Sequence, residues 1–130
     1  MDSSIFSGKK LTMVNIWTTW CPPCIREMPD LGRLGRSMPE GAQLIGIILD
    51  AEEPDVSRTI VVAKSILSKS NADFVQILPS MEMAPILDWV EAIPTTIFVD
   101  SKGQIVGEPH VGALDEEGYR AEVEKLLKSM

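Results

Sequence analysis

The sequence of 130 residues has little of what several protein classes require. Two cysteines cannot build a scaffold held by several disulfides, and with a single histidine a structural zinc site would need carboxylate ligands as well. Basic residues are outnumbered by acidic ones, 12 against 19, and the resulting net charge of -7 repels a phosphate backbone and an anionic membrane surface alike. Nucleic acid is therefore not expected as a partner.

Long hydrophobic runs are also missing. No stretch approaches the roughly 18 apolar residues of a membrane span, and the first residues lack the apolar run behind a basic patch that marks a signal peptide. We expect no membrane span in this chain. The possibility that a leader or anchor was removed from its front stays open. The hydrophobic share of 45% is typical of globular chains, and this length predicts a single domain over residues 1–130.

Hydrophobic spacing predicts alternating strands and helices. A right-handed crossover would place the first two strands parallel, and a hairpin near the end adds an antiparallel part. The prediction is an α/β fold with a mixed central β-sheet and helices on both faces. Its elements are a strand at 11–17, a helix from 22 to about 37 kinked at Pro29, a strand at 43–49, a helix from 54 to about 70, an extended segment at 74–78, a short helix at 85–90, hairpin strands at 94–100 and 104–107, and a helix from about 115 onward.

The cysteines lie where the first predicted strand gives way to the first helix, in the order Cys21-Pro22-Pro23-Cys24. Unpaired N–H groups and the positive end of the helix dipole stabilise a thiolate there and lower its pKa below the free value of about 8.5, which makes Cys21 the predicted nucleophile. Cys24 lies on the same side of the first turn, within reach of a disulfide, and is the predicted resolving thiol. Both prolines are tolerated because N–H groups of the first turn have no intrahelical acceptor.

Other uses of the two cysteines are weaker. Haem attachment needs a histidine directly after the second cysteine, and that position is Ile25. A zinc or iron-sulfur site would need two more strong ligands, and only His110 is left, which we expect in a solvated loop after the hairpin. No metal site is therefore predicted. A purely structural disulfide across one helical turn closes too small a loop to add much stability.

Four motifs occur in an order similar to their order in a known family. Together they resemble the thioredoxin superfamily and, within it, the TlpA/ResA-like branch of bacterial thiol-disulfide oxidoreductases, from about residue 8 to the end. The family's members usually carry a strand or hairpin ahead of that start, so we interpret the domain as trimmed at its front edge. The motifs are residues 15–24, Pro29, Ile93-Pro94-Thr95-Thr96 and the turn at 99–103.

The resemblance implies a thioredoxin-like fold and a surface that binds substrate. The Ile93–Pro94 bond would be cis, which places Pro94 against the cysteines and frees the backbone of Ile93 to pair with an extended substrate segment. Trp20, Ile93, Pro94 and Thr95 are the substrate-binding residues that it implies. Ordinary packing is the alternative for Trp20, and we expect Trp17 in the core.

The resemblance also points to a proton acceptor. Thioredoxins proper carry a buried aspartate six residues before the first cysteine, where this chain has Asn15, which cannot titrate. The TlpA/ResA-like pattern places a glutamate three residues after the second cysteine, and Glu27 occupies that position. Near two sulfurs, in partly apolar surroundings, this carboxylate would have a raised pKa and would take the proton of Cys24. A solvated glutamate on a helix face is the alternative.

The expected activity is thiol-disulfide exchange with protein thiols and disulfides, with a redox partner protein and without an organic cofactor. The resemblance favours a reductant, and the oxidising direction stays open. We expect a monomer. An extracytoplasmic location, in a bacterial cell envelope or on the secreted side, is favoured by the resemblance, and a cytoplasmic one stays open. The competing hypothesis is a thioredoxin-fold metal carrier or binding module that uses the two cysteines as ligands.

Overall fold

Two buried parallel strands form the centre of the sheet. The structure is a computed structural model and describes residues 3–88 and 90–130. In it β1 (Leu11–Trp17) and β2 (Ala42–Ile48) run side by side, joined by α1 (Pro22–Arg36), which continues through Pro29 without a break. Every residue of β1 is buried, and this explains why its sequence is a nearly continuous apolar run.

The remaining strands extend this pair in both directions, and the predicted mixed sheet is confirmed. The strand order is β3-β2-β1-β4-β5; β3 is parallel to β2, whereas β4 is antiparallel to β1 and β5 is antiparallel to β4. The elements after β2 are α2 (Val56–Lys69), β3 (Val75–Ile77), a 3-10 turn at Met81–Met83 leading into the short α3 (Ala84–Leu87), β4 (Thr95–Asp100), β5 (His110–Val111) and α4 (Glu116–Ser129).

The predicted hairpin needs a correction. Its second strand, expected at 104–107, is reduced to a single bridge between Val99 and Ile105. The strand that pairs with the outer edge of β4 is instead His110–Val111. Gly107, at φ +70°, turns the chain away, and Pro109 has no N–H to donate to a ladder. The placement of His110 in a solvated loop was therefore wrong, because this residue belongs to the edge strand β5.

The short helix expected at 85–90 is also shorter than predicted. The helical segment α3 ends at Leu87, and Trp89 lies outside the described residues. The extended segment expected at 74–78 is confirmed as β3, which pairs with β2.

Helices lie on both faces of the sheet, but unequally. Both crossovers, β1 to β2 and β2 to β3, step in the same direction, and right-handed connections therefore place α1 and α2 on one face. There they share an apolar cluster with α4, to which Cys24, Ala63 and Val123 belong. The opposite face is covered by the segment 81–87 and by Phe6. Among the described residues, no helix is long and apolar enough to cross a membrane.

Candidate active site

Cys21 and Cys24 form a disulfide at the start of α1, with their Cα atoms 5.3 Å apart. Cys21 is the N-cap residue of the helix, and its Sγ accepts the backbone N–H of Cys24 at 3.2 Å. Pro22 and Pro23 fill the first two helical positions. Cys21 is 3% exposed and Cys24 is fully buried, so the first cysteine lies nearer to solvent.

The loop before Cys21 is tied to the end of β2 by one carboxylate. Asp50 accepts the backbone N–H of Thr19 with both oxygens, at 3.1 and 3.2 Å, and also accepts the Thr19 hydroxyl. The next residue, Trp20, directly precedes Cys21 and is 69% exposed. Asp50 therefore holds the segment that orients both Trp20 and Cys21.

Glu27 lies one helical turn after Cys24 on the same face of α1 and is only 4% exposed. Its Oε1 accepts the hydroxyl of Tyr119 at 2.6 Å and the backbone N–H of Leu114 at 3.4 Å. Its Oε2 accepts the side-chain amide of Asn15 at 3.2 Å. This is a buried carboxyl group in a polar cage, and not the solvated glutamate that was the alternative.

Burial changes the protonation of this carboxyl group. Loss of solvation raises the pKa of Glu27 above 4.5, although the hydrogen bonds from Tyr119, Asn15 and Leu114 oppose the rise. Burial and the neighbouring Glu27 carboxylate raise the pKa of the Tyr119 hydroxyl, so it keeps its proton and acts as a donor. Asn15 Oδ1 is buried and has no hydrogen-bond partner among the described residues.

The Ile93–Pro94 peptide bond is cis, as the resemblance implies. Pro94 is buried, and its carbonyl accepts the N–H of Gly112 at 2.8 Å. Ile93 packs against the cluster that contains both cysteines, and its backbone makes no hydrogen bond within residues 3–88 and 90–130. Thr95 follows at the start of β4, where its hydroxyl donates to the carbonyl of Ala92.

A shallow surface groove of about 380 Å³ opens beside Glu27. It separates α1 from the loop before α4, and its lining is mostly charged. Glu27 thus has a side that faces this groove, although the carboxyl group is almost entirely buried. The lining residues are Arg26, Glu27, Asp30, Ala113, Leu114 and Asp115.

Asp50 and Tyr119 also belong to this site and were not predicted from the sequence. Tyr119 is the only tyrosine of the chain and stands at helical spacing with Val123 on the inner side of α4, and a buried tyrosine hydroxyl needs a partner. That pattern was a usable signal, but it does not name the partner. His110 also belongs to this region, because its ring packs edge-on against Tyr119 with centroids 6.1 Å apart.

Trp17 lies in the core, as expected, and is fully buried. The part of the chain that the structure describes contains no cluster of three or more His, Cys, Asp or Glu residues able to hold a metal ion.

The two cysteines form a disulfide at the start of the helix that follows the central strand of a mixed sheet, and a cis-proline lies directly before β4. This arrangement defines a thioredoxin-like fold. The chain belongs to the Redoxin family, whose model matches residues 1–127. Within the thioredoxin superfamily it falls in the ResA/DsbE-like branch, and this confirms the resemblance drawn from the motifs.

Three known proteins illustrate this placement. The chain is 32% identical over 120 residues to the thiol:disulfide interchange protein DsbE homolog of Paracoccus denitrificans, covering 88% of this chain and 60% of that one. It is 28% identical over 109 residues to the thiol-disulfide oxidoreductase ResA of Halalkalibacterium halodurans, covering 83% and 57%. The chain thus spans about three fifths of these relatives.

The third is a crystal structure of a secreted Mycobacterium tuberculosis disulfide oxidoreductase homologous to E. coli DsbE. It matches with a TM-score of 0.69 and 24% identity, covering 97% of this chain and 88% of that one. This similarity shows the thioredoxin-like fold.

Proposed function

We propose that this chain is a thiol-disulfide oxidoreductase that reduces disulfides of protein substrates. One observation carries the proposal: a buried carboxyl group, Glu27, lies one helical turn from a cysteine pair at a helix N-terminus. A structural disulfide would need no proton acceptor beside it, whereas exchange must move a proton each time the second thiol reacts. The names of the DsbE and ResA relatives support the same activity.

The reduced pair would act in two steps. The Cys21 thiolate attacks one sulfur of the substrate disulfide, forms a mixed disulfide and releases the first substrate thiolate. Glu27 then takes the proton of the Cys24 thiol, and the Cys24 thiolate attacks Cys21 Sγ. This breaks the mixed disulfide and releases the second substrate thiolate. Two electrons pass to the substrate, and a redox partner protein returns the Cys21–Cys24 disulfide to thiols.

Substrate contacts would come from the surface around the sulfurs. Exposed Trp20 offers an apolar face beside Cys21, and Pro94 and Thr95 shape the opposite wall. The unpaired backbone of Ile93 is suited to hydrogen-bond an extended substrate segment, as an additional strand does at a sheet edge. Substrate would thereby be held with its sulfur against Cys21.

We also propose an extracytoplasmic setting. The related M. tuberculosis oxidoreductase is described as secreted. Proteins with disulfides to reduce are found mainly outside the cytoplasm, where disulfides form and persist.

The test begins with the prereduced protein and insulin as the disulfide substrate. We expect loss of insulin disulfides with stoichiometric appearance of the Cys21–Cys24 disulfide, read by mass spectrometry. Cys21→Ser should abolish the reaction, and Cys24→Ser should halt it at a mixed disulfide with Cys21. Equilibration with glutathione then gives the reduction potential.

Two outcomes would contradict the proposal. One is a prereduced wild-type protein that leaves insulin intact over hours at neutral pH. The other is stoichiometric, tight binding of copper or zinc by the two thiols without any turnover of disulfides, which is the behaviour of a metal carrier.

A further inference from the structure

The hydroxyl of Tyr119 is the nearest hydrogen-bond donor to the buried carboxyl group of Glu27. The O–O distance of 2.6 Å is shorter than those of the other two donors to this carboxyl group, which lie at 3.2 and 3.4 Å. The side chain is fully buried on α4, and its hydroxyl also lies 3.4 Å from the hydroxyl of Thr96, two residues after the cis-proline. The Tyr119 hydroxyl thus joins the Glu27 carboxyl group on α1 to β4, the strand that follows the cis-proline.

We infer that Tyr119 is a positioning residue of the exchange reaction, whose hydroxyl holds Oε1 of Glu27 and leaves Oε2 to take the proton of Cys24. The inference rests on the proposed function and names a residue on which that site depends. Tyr119 acts through Glu27: among the described residues its hydroxyl makes hydrogen bonds with Glu27, Thr96 and Gly112 and with neither sulfur.

The geometry gives each carboxyl oxygen a separate task. Oε1 receives the Tyr119 hydroxyl and the amide of Leu114, so both hydrogen bonds favour the ionised form of Glu27. Within the described part of the chain, Oε2 accepts a hydrogen bond only from the side-chain amide of Asn15. After Oε2 takes a proton, rotation of that amide would present Asn15 Oδ1, which is unpartnered among the described residues, as the acceptor of the new O–H.

Other ionisable groups also face the carboxyl group of Glu27. On α1 these are Cys24 one turn before it and Asp30 one turn after it, whose negative charge raises the pKa of Glu27. Arg26 and Asp115 line the adjoining groove from α1 and from the loop before α4.

From the sheet side, β5 presents the ring of His110, which contacts Tyr119. The groups presented by β1 and β4, Asn15 and Thr96, do not titrate. Of all these neighbours, Tyr119 supplies the hydrogen bond that lowers the pKa of Glu27 most.

The decisive variant is Tyr119→Phe, which keeps the buried ring and removes only the hydroxyl. The pKa of Glu27 should rise, and the pH at which release from the mixed disulfide reaches half its maximal rate should move up by roughly one unit. The first readout is single-turnover release across pH. The second is direct NMR titration of the Glu27 carboxyl carbon, which needs no activity.

Since the chain has one tyrosine, growth on 3-fluorotyrosine alters this position alone. Its hydroxyl is more acidic and donates a stronger hydrogen bond, so both midpoints should move to lower pH, opposite to the effect of Tyr119→Phe. This second form keeps the test open should the phenylalanine variant fold poorly.

Two controls separate positioning from packing. Val123→Ala opens a cavity one turn further along α4, where the side chain is fully buried, and should lower stability without moving either midpoint. In a Glu27→Gln background, Tyr119→Phe should leave the pH profile of release unchanged.

An unchanged Glu27 titration in both tyrosine forms would overturn the inference, as would an equal shift of the release profile in the Glu27→Gln background. A wild-type protein that exchanges no disulfides would instead refute the proposed function, while the carboxyl titration still reports whether Tyr119 holds Glu27.

Discussion

The Sγ of Cys21 accepts the backbone N–H of Cys24 at 3.2 Å, so a sulfur occupies the capping position that oxygen takes at most helix starts. The two residues between them are prolines, which have no N–H. Cys24 therefore carries the first backbone donor of α1, and this single amide faces the sulfur that the proposed reaction makes into a thiolate.

Adding a second donor at this helix start should speed the reaction of Cys21. Pro23→Ala restores an N–H at the second helical position, where capping donors lie, and we expect alkylation of Cys21 by iodoacetamide near pH 6 to become up to about tenfold faster. Pro22→Ala is the matched control, because an N–H at the first helical position does not point at the cap. Equal rates for the two variants would show that backbone donors do not control this thiol.

The cysteine pair and its place at the start of α1 could be predicted because they are local in the sequence, whereas the role of Glu27 was implied by the family resemblance. The end of β1, the cysteines and Glu27 follow one another within a few turns of chain, so strand and helix periodicity already places them together. The burial of Glu27 depends on α4, whose Tyr119 follows it by 92 residues, so no local pattern shows it.

The features that were missed depend on contacts distant in sequence. Tyr119 meets Glu27 across 92 positions, and Asp50 meets Thr19 across 31. The strand at His110 was missed because it is two residues long, too short to show alternation, and its pairing with Thr96 is set by the turn at Gly107.

Asp50 should control how precisely the loop before Cys21 is held. Asp50→Ala removes the acceptor of the Thr19 N–H and hydroxyl, and we expect a loss of about 1.5–3 kcal/mol in the free energy of unfolding together with several-fold slower attack on insulin disulfides. Urea denaturation and the initial rate of reduction measure the two effects. Glu52→Ala removes the same charge from the same loop but no described hydrogen bond, and it should change neither quantity by much.

The protonation of Glu27 should be visible in stability as well as in activity. Because its pKa is raised on folding, the folded chain binds more protons than the unfolded chain above pH 4.5, so this group's contribution to the free energy of unfolding decreases as pH rises through the raised pKa. Glu27→Gln removes this pH-dependent decrease in the free energy of unfolding. Relative to wild type, the variant should therefore gain stability with rising pH, measured by urea denaturation at a series of pH values above 4.5.

Glu116→Gln provides a control of opposite sign. A hydrogen bond from Arg120 lowers the pKa of Glu116, so its stabilising contribution is present above the ordinary value of 4.5 and is lost as pH falls. This variant should match wild type in acid and be the less stable of the two at neutral pH. Parallel curves for the Glu27 and Glu116 variants would contradict both assignments.

Gly46 and Gln76 face each other across β2 and β3, and a side chain at residue 46 should cost stability through Trp17. The Gln76 amide lies so close over Gly46 that a Cβ there would be 2.2 Å from Oε1, the atom that accepts the indole N–H of Trp17 at 2.9 Å. In Gly46→Ala, Gln76 must move aside and leave that buried N–H without a partner, which costs about 1–3 kcal/mol. Urea denaturation should show this loss in the wild-type background.

In a Gln76→Ala background the obstruction is absent, and the indole has already lost its acceptor. Gly46→Ala should then be neutral or stabilise the protein by about 0.5–1 kcal/mol, because alanine loses less backbone entropy than glycine in a strand. The difference between the two backgrounds is the coupling energy of a double-mutant cycle. Equal losses in both would mean that Gly46 is needed for another contact, and that the Gln76 amide is free to leave Trp17 without penalty.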